Sequence, residues 1–153
     1  MLVTAENEHD MEVFLRCVGE ALARQKAKTT IDLYVDDDNL AIDAQEAFAI
    51  LRSRGDAVAS SGGATFLSRL LRQKDPYMGC DLDLSNDEDR RFFSLLAHRV
   101  IGCESWIDDE QVFSSSGASG PVWVGMGDSI ENDLIGSARK AGANSLRIID
   151  VGN

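Results

Sequence analysis

The chain predicts a three-layer α/β domain of about five parallel strands with helices on both faces. Three observations lead there. Short β-prone runs alternate with segments whose apolar residues recur at three- and four-residue steps. Gly, Pro, Asn and Asp punctuate the boundaries between them. Several predicted strands also end in carboxylates, and a parallel sheet collects the carboxyl ends of its strands along one rim.

Taken in order, residues 1–5 read as a short strand or a loose end. Met11, Phe14, Leu15, Val18 and Leu22 make one face of a helix over residues 10–26, with Asp10 as N-cap and Arg24, Lys26 and Lys28 suited to its C-terminal dipole. A strand over 30–35 follows. Ala44, Ala47, Phe48 and Leu51 predict a helix over 41–54, stopped by Gly55. Residues 56–60 read as a second strand, and Phe66, Leu67, Leu70 and Leu71 as a helix over 64–74, broken at Asp75-Pro76. Residues 77–84 form a third strand. Asn86 caps the next helix, whose first turn Asp87-Glu88-Asp89 suits the positive end of its dipole. Residues 102–120 have no clear pattern, and 114–120 look like an exposed loop. Val122-Trp123-Val124 is a fourth strand, a helix spans 130–141 with Gly142 as its stop, and 146–149 is a fifth strand. One domain accommodates all 153 residues, with 1–29 as a helical extension, 30–150 as the core and 102–120 as an irregular insertion.

The net charge of −11 argues against nucleic acid, which needs clustered Lys and Arg, and against an anionic membrane surface. A metal or a protein partner bearing basic residues fits better. No apolar run reaches the roughly 18 residues of a membrane span, and the N-terminus lacks a signal-peptide pattern. Three cysteines without a Cys-x-x-Cys pair read as buried free thiols in a reducing cytoplasm.

The acids are the candidate site. Asp36, Asp37 and Asp38 follow the first core strand, Asp81 and Asp83 end the third, and Asp128 follows the fourth. Gathered on one rim they would repel and raise one another's pKa values unless a cation intervened. Mg²⁺, held by Asp36, Asp37, Asp81 and Asp128, is the simplest such cation.

Two families resemble this arrangement. Val35-Asp36-Asp37-Asp38 is similar to the acidic signature of response-regulator receiver domains. Leu51 to Val58, Leu70 to Pro76 running into Cys80-Asp81-Leu82-Asp83-Leu84, Pro121 to Val124 and Ala141 to Asn144 follow the receiver order over roughly residues 30–150. The resemblance implies a receiver/flavodoxin-like or Rossmann-like sheet with Asp81 or Asp83 as phosphoacceptor. Gly125-Met126 and Ile149-Asp150 replace the switch hydroxyl and the Lys-Pro pair, which implies an atypical receiver acting by protein interaction. The second likeness is to haloacid-dehalogenase-like phosphatases. By it Asp36 would be nucleophile, Asp38 general acid, Ser60 the phosphate-binding hydroxyl and Gly127-Asp128-Ser129-Ile130-Glu131-Asn132-Asp133 the metal loop, with Lys74 the sole candidate lysine. A third reading, an acidic inhibitor or immunity-type protein, rests on charge alone. Outside these motifs, His98 reads as a partly exposed histidine, Ser60-Ser61-Gly62-Gly63 as a turn, and Trp106 and Trp123 as core or interface anchors.

Overall fold

A computed structural model describes residues 1–34, 40–60, 77–117 and 120–149. The strands are β1 (Leu2–Thr4), β2 (Lys28–Asp32), β3 (Cys80–Leu82), β4 (Gly102–Ile107), β5 (Glu110–Ser116), β6 (Val122–Val124) and β7 (Arg147–Ile149). The helices are α1 (Glu8–Arg24), α2 (Ile42–Ser60), α3 (Asp87–Leu96) and α4 (Asp128–Lys140). All seven strands join one sheet in the order β3-β2-β4-β5-β6-β1-β7, and every neighbouring pair is antiparallel.

This corrects the expected fold class. The parallel sheet of about five strands with helices on both faces is an open antiparallel sheet, and the receiver/flavodoxin-like and Rossmann-like topologies are overturned with it. Alternation of strand and helix misled for a definite reason. α1 links β1 to β2, which run the same way, but β6, β5 and β4 fill the space between them in antiparallel register. α4 likewise carries β6 to β7 across β1. Both helices are crossovers between strands that never touch.

Local signals explain the individual elements. Asn7, one turn before the expected cap, closes α1 by accepting from the Asp10 backbone N–H at 2.8 Å. Asp10 instead accepts from the backbone N–H of Ser145 at 2.7 Å, tying α1 to the turn before β7. Asn86 caps α3 as expected, accepting from the Glu88 N–H. α2 does not stop at Gly55. It runs to Ser60 and replaces the expected strand over 56–60. A helical glycine costs only about 1 kcal/mol against alanine. The salt bridges from Arg54 to buried Asp89 (2.6 Å) and to Glu88 (2.8 Å) hold this helix to α3. The residues expected to be irregular, 102–120, carry the β4–β5 hairpin, turned by Asp108 and Asp109, with Asp108 at a positive φ of 52° that Asp tolerates. The expected helix over 64–74 lies outside the described residues.

α4 packs on α1, α1 on α3 and α3 on α2, giving one helical layer. Its centre is Phe93. A Cβ on Gly19 of α1 would meet Phe93 Cδ1 at 3.1 Å, and the Phe93 ring tilts against Phe113 of β5 with centroids 5.0 Å apart. Toward this layer the sheet buries Val3, Thr29, Ile31, Leu82, Cys103, Ser105, Phe113, Ser115, Val122 and Val124. The Thr29 and Ser105 hydroxyls satisfy each other inside it at 2.8 Å.

Candidate protein-binding surface

Antiparallel strands place facing residues on the same side of a sheet. Following the register, Asp81, Thr30, Glu104, Ser114, Trp123, Leu2 and Ile149 form one row across all seven strands. Each is exposed or half-buried, whereas on β2, β4, β5 and β6 the residues beside them along the strands are buried. The described residues leave this face uncovered, as antiparallel sheets commonly do on one side. A parallel row carries Lys28, Trp106 and Gln111, and another Asp32, Gly102 and Ser116.

The face has two halves. At the β6-β1-β7 end Trp123, Leu2 and Ile149 are neighbours across the strands. The Trp123 indole lies along its own strand over Gly125, where an added Cβ would come within 2.2 Å of Cη2. At the β3-β2-β4 end are Asp81, Asp32 and Glu104, and Trp106 is 36% exposed. The Asp32 carboxylate accepts from the Gly79 N–H at 2.6 Å. The exposed hairpin tip adds Asp108, Asp109 and Glu110 just beyond Trp106. Among the described residues two strand cations share the face: Lys28, and Arg147, which pairs with Glu6. Among the described residues no ion pair engages Asp81 or Glu104.

Among the described residues, the acids singled out by sequence, Asp81, Asp83 and Asp128, do not assemble. Asp81 is exposed on β3, and Asp83 lies in the following turn, where the Ser85 hydroxyl and backbone N–H hold its carboxyl below the ordinary Asp value. Asp128 is exposed and opens α4 after β6. β3 and β6 are four strand spacings apart, about 19 Å at ~4.8 Å each. β2 runs opposite to both, so its carboxyl end is at the other edge of the sheet. Asp36, Asp37, Asp38 and Lys74 lie outside the described residues. Ser60 ends a helix instead of closing a strand. Among the described residues no three His, Cys, Asp or Glu side chains form a group able to hold a metal ion. The receiver-like function with its Mg²⁺-bearing rim and the phosphatase alternative both required parallel strand ends to converge, and they fall together. The inhibitor or immunity-type reading rested on charge alone and is given up with them.

One polar group in the helical layer, His98, was also misjudged, and its neighbour Arg99 is buried with it. His98, expected to be partly exposed, is 4% exposed, and neither ring nitrogen has a hydrogen-bond partner among the described residues. Burial, assisted by the neighbouring Arg99 charge, lowers its pKa to about 4. Arg99 is 7% exposed and is held by Glu8 and Glu12, each at 2.7 Å, and by the Leu95 carbonyl at 2.8 Å. The three cysteines are free. Burial raises the Cys103 thiol well above its ordinary value and the half-buried Cys17 thiol above its own, which disfavours the thiolate at both.

Sequence reasoning missed Glu104 and the acidic tip at 108–110. The signal was present as the alternation Cys103-Glu104-Ser105-Trp106 before Asp108-Asp109 and a second β-prone run, which is a hairpin pattern. Fold and surface together define an α/β protein whose seven-stranded antiparallel sheet bears helices on one side and two tryptophans on the other. No known protein family, curated protein or solved structure matches the chain. Among the described residues no helix is long and apolar enough to cross a membrane.

Proposed function

We propose that the chain binds a protein partner carrying basic residues through the open face of its sheet. One observation carries this reading: both tryptophans of the chain sit on that face, and Trp106 shares its strand with Glu104, which has no ion pair among the described residues. Tryptophan is enriched at the energetic centres of protein interfaces because it brings a large apolar area at low entropic cost. Six strand spacings make the face about 29 Å wide, the scale of a standard interface. Surplus negative charge steers a basic partner toward it and repels nucleic acid and anionic membranes.

The test separates the face from the overall charge. A small, strongly basic protein lacking tryptophan is titrated in, with tryptophan emission as the readout. The double variant Asp81→Lys/Glu104→Lys should weaken binding by about tenfold or more. The helix-layer variant Glu20→Lys/Asp133→Lys, equal in charge change and at exposed positions, should alter it little. Equal weakening by the two variants would mean that net charge alone drives association, and the proposal would fail.

A further inference from the structure

The surroundings of Trp106 narrow the chemistry of the partner. Trp106 on β4 lies two residues beyond Glu104 on the same face and faces Lys28 on one side and Gln111 on the other. Gln111 belongs to β5, the strand between β4 and β6. The Val112 carbonyl accepts the Gly125 N–H at 2.9 Å, so Gln111 and Gly125 are near each other across the β5–β6 boundary. The Trp123 indole lies over Gly125. Two indoles are therefore borne by strands about 10 Å apart, with the flat polar chain of Gln111 between them and short Ser114 in the adjacent row. Glu104 lies above, and Asp108, Asp109 and Glu110 lie below at the hairpin tip.

From this juxtaposition we infer that the open face recognises arginine side chains of its partner in preference to lysine, with Trp106 and Trp123 as stacking surfaces and Glu104 as the carboxylate. The inference rests on the proposed use of this face for a basic partner. The two basic side chains differ in shape and hydration. Guanidinium is planar and weakly hydrated, stacks on an indole and donates two parallel hydrogen bonds to one carboxylate. Ammonium is a compact, strongly hydrated charge that gains little from a flat aromatic surface. A face that used charge alone would have no need of exposed indoles beside its acids. Lys28, the one cation of β2, β4, β5 and β6, stands on the far side of Trp106 from Gln111, so the surface between the two indole-bearing strands carries no positive charge of theirs.

Because both tryptophans are on this face, tryptophan emission reports on it alone. The experiment titrates the full chain with oligo-arginine and oligo-lysine peptides of equal length at fixed ionic strength. The arginine peptide should perturb the emission and bind at least about fivefold more tightly than the lysine peptide. In Trp106→Leu, read through Trp123, that preference should vanish while lysine affinity holds. Glu104→Gln should weaken the arginine peptide more than the lysine peptide. Equal affinity for the two peptides, each with an emission change, would leave the basic-partner reading standing and overturn the arginine preference. Binding without any change in emission, or no binding of either peptide, would overturn both.

Discussion

Lowering the pH from neutrality toward about 5 isolates a single buried group. His98 is neutral in the folded protein, with a pKa near 4 against an ordinary value of 6.5. Among the described residues its ring nitrogens have no hydrogen-bond partner, and the Glu8 charge offsets the effect of burial only in part. The unfolded chain therefore binds a proton on this residue at a pH where the folded chain does not. The linked stability is fully present above about pH 6.5 and is lost as the pH falls toward 4. With those two values the loss relative to neutrality is about 2 kcal/mol at pH 5 and about 3 kcal/mol at pH 4. For a domain of this size that corresponds to a fall in Tm of roughly 4–8 °C by pH 5. Asp and Glu side chains in the unfolded chain titrate mostly below this window, near 4, so the slope between pH 6.5 and 5 belongs chiefly to histidine. The other histidine, His9, is exposed on α1 and is removed from the count in a His9→Gln background. Urea unfolding across this range should show the slope in that background and not in His9→Gln/His98→Leu. The second variant should also be no less stable near neutrality, because two desolvated, unpartnered nitrogens are gone. A wild-type stability flat from pH 6.5 to 5, or a slope that survives His98→Leu, would refute the assignment of a buried neutral imidazole.

Three further outcomes follow from the packing. Arg99→Met strands the partly buried Glu12 carboxylate and should cost about 3 kcal/mol in urea unfolding, with Glu12→Gln in the same chain recovering part of it. Phe93→Ala empties the contact between Gly19 and Phe113 and should cost about 3–5 kcal/mol, visible as a lower urea midpoint at unchanged slope. Gly125→Ala places a methyl where the Trp123 ring lies, so the indole must move into water. Its emission should shift to the red while far-ultraviolet circular dichroism stays the same, and an unchanged emission would contradict the described ring position.

Much of the local structure was legible in the residues themselves. The apolar spacing of Met11, Phe14, Leu15, Val18 and Leu22 placed α1, and all five side chains are buried. Asn86 with three acids after it placed the start of α3, and Val122-Trp123-Val124 placed β6. These are short-range effects, set by side-chain periodicity and by capping of the first helical N–H groups. The errors came where short-range preference was weak and distant contacts decided. Val58 looked like part of a strand, yet it sits exposed on the last turns of α2, a helix anchored by Arg54 to Asp89 more than thirty residues away in sequence. His98 looked like a surface residue because burial depends on the elements packed around α3.

Strand direction was the costliest of these. Nothing in Lys28–Asp32 or Cys80–Leu82 states which way a neighbour will run, because the residues of a strand specify its two faces and leave pairing to the rest of the chain. The sequence alone determined where α1, α3 and β6 lie, which face of α1 is apolar and that the molecule is strongly acidic. Only the tertiary structure decided that β1 enters between β6 and β7 and that the hairpin β4–β5 fills the sheet between β2 and β6. That insertion reverses successive strand ends, moves Asp81 and Asp128 apart, and brings Glu104, Trp106 and Trp123 onto one face. The physical reason is that backbone hydrogen bonds between strands are satisfied equally well by many partners, so the choice falls to the packing of the whole core.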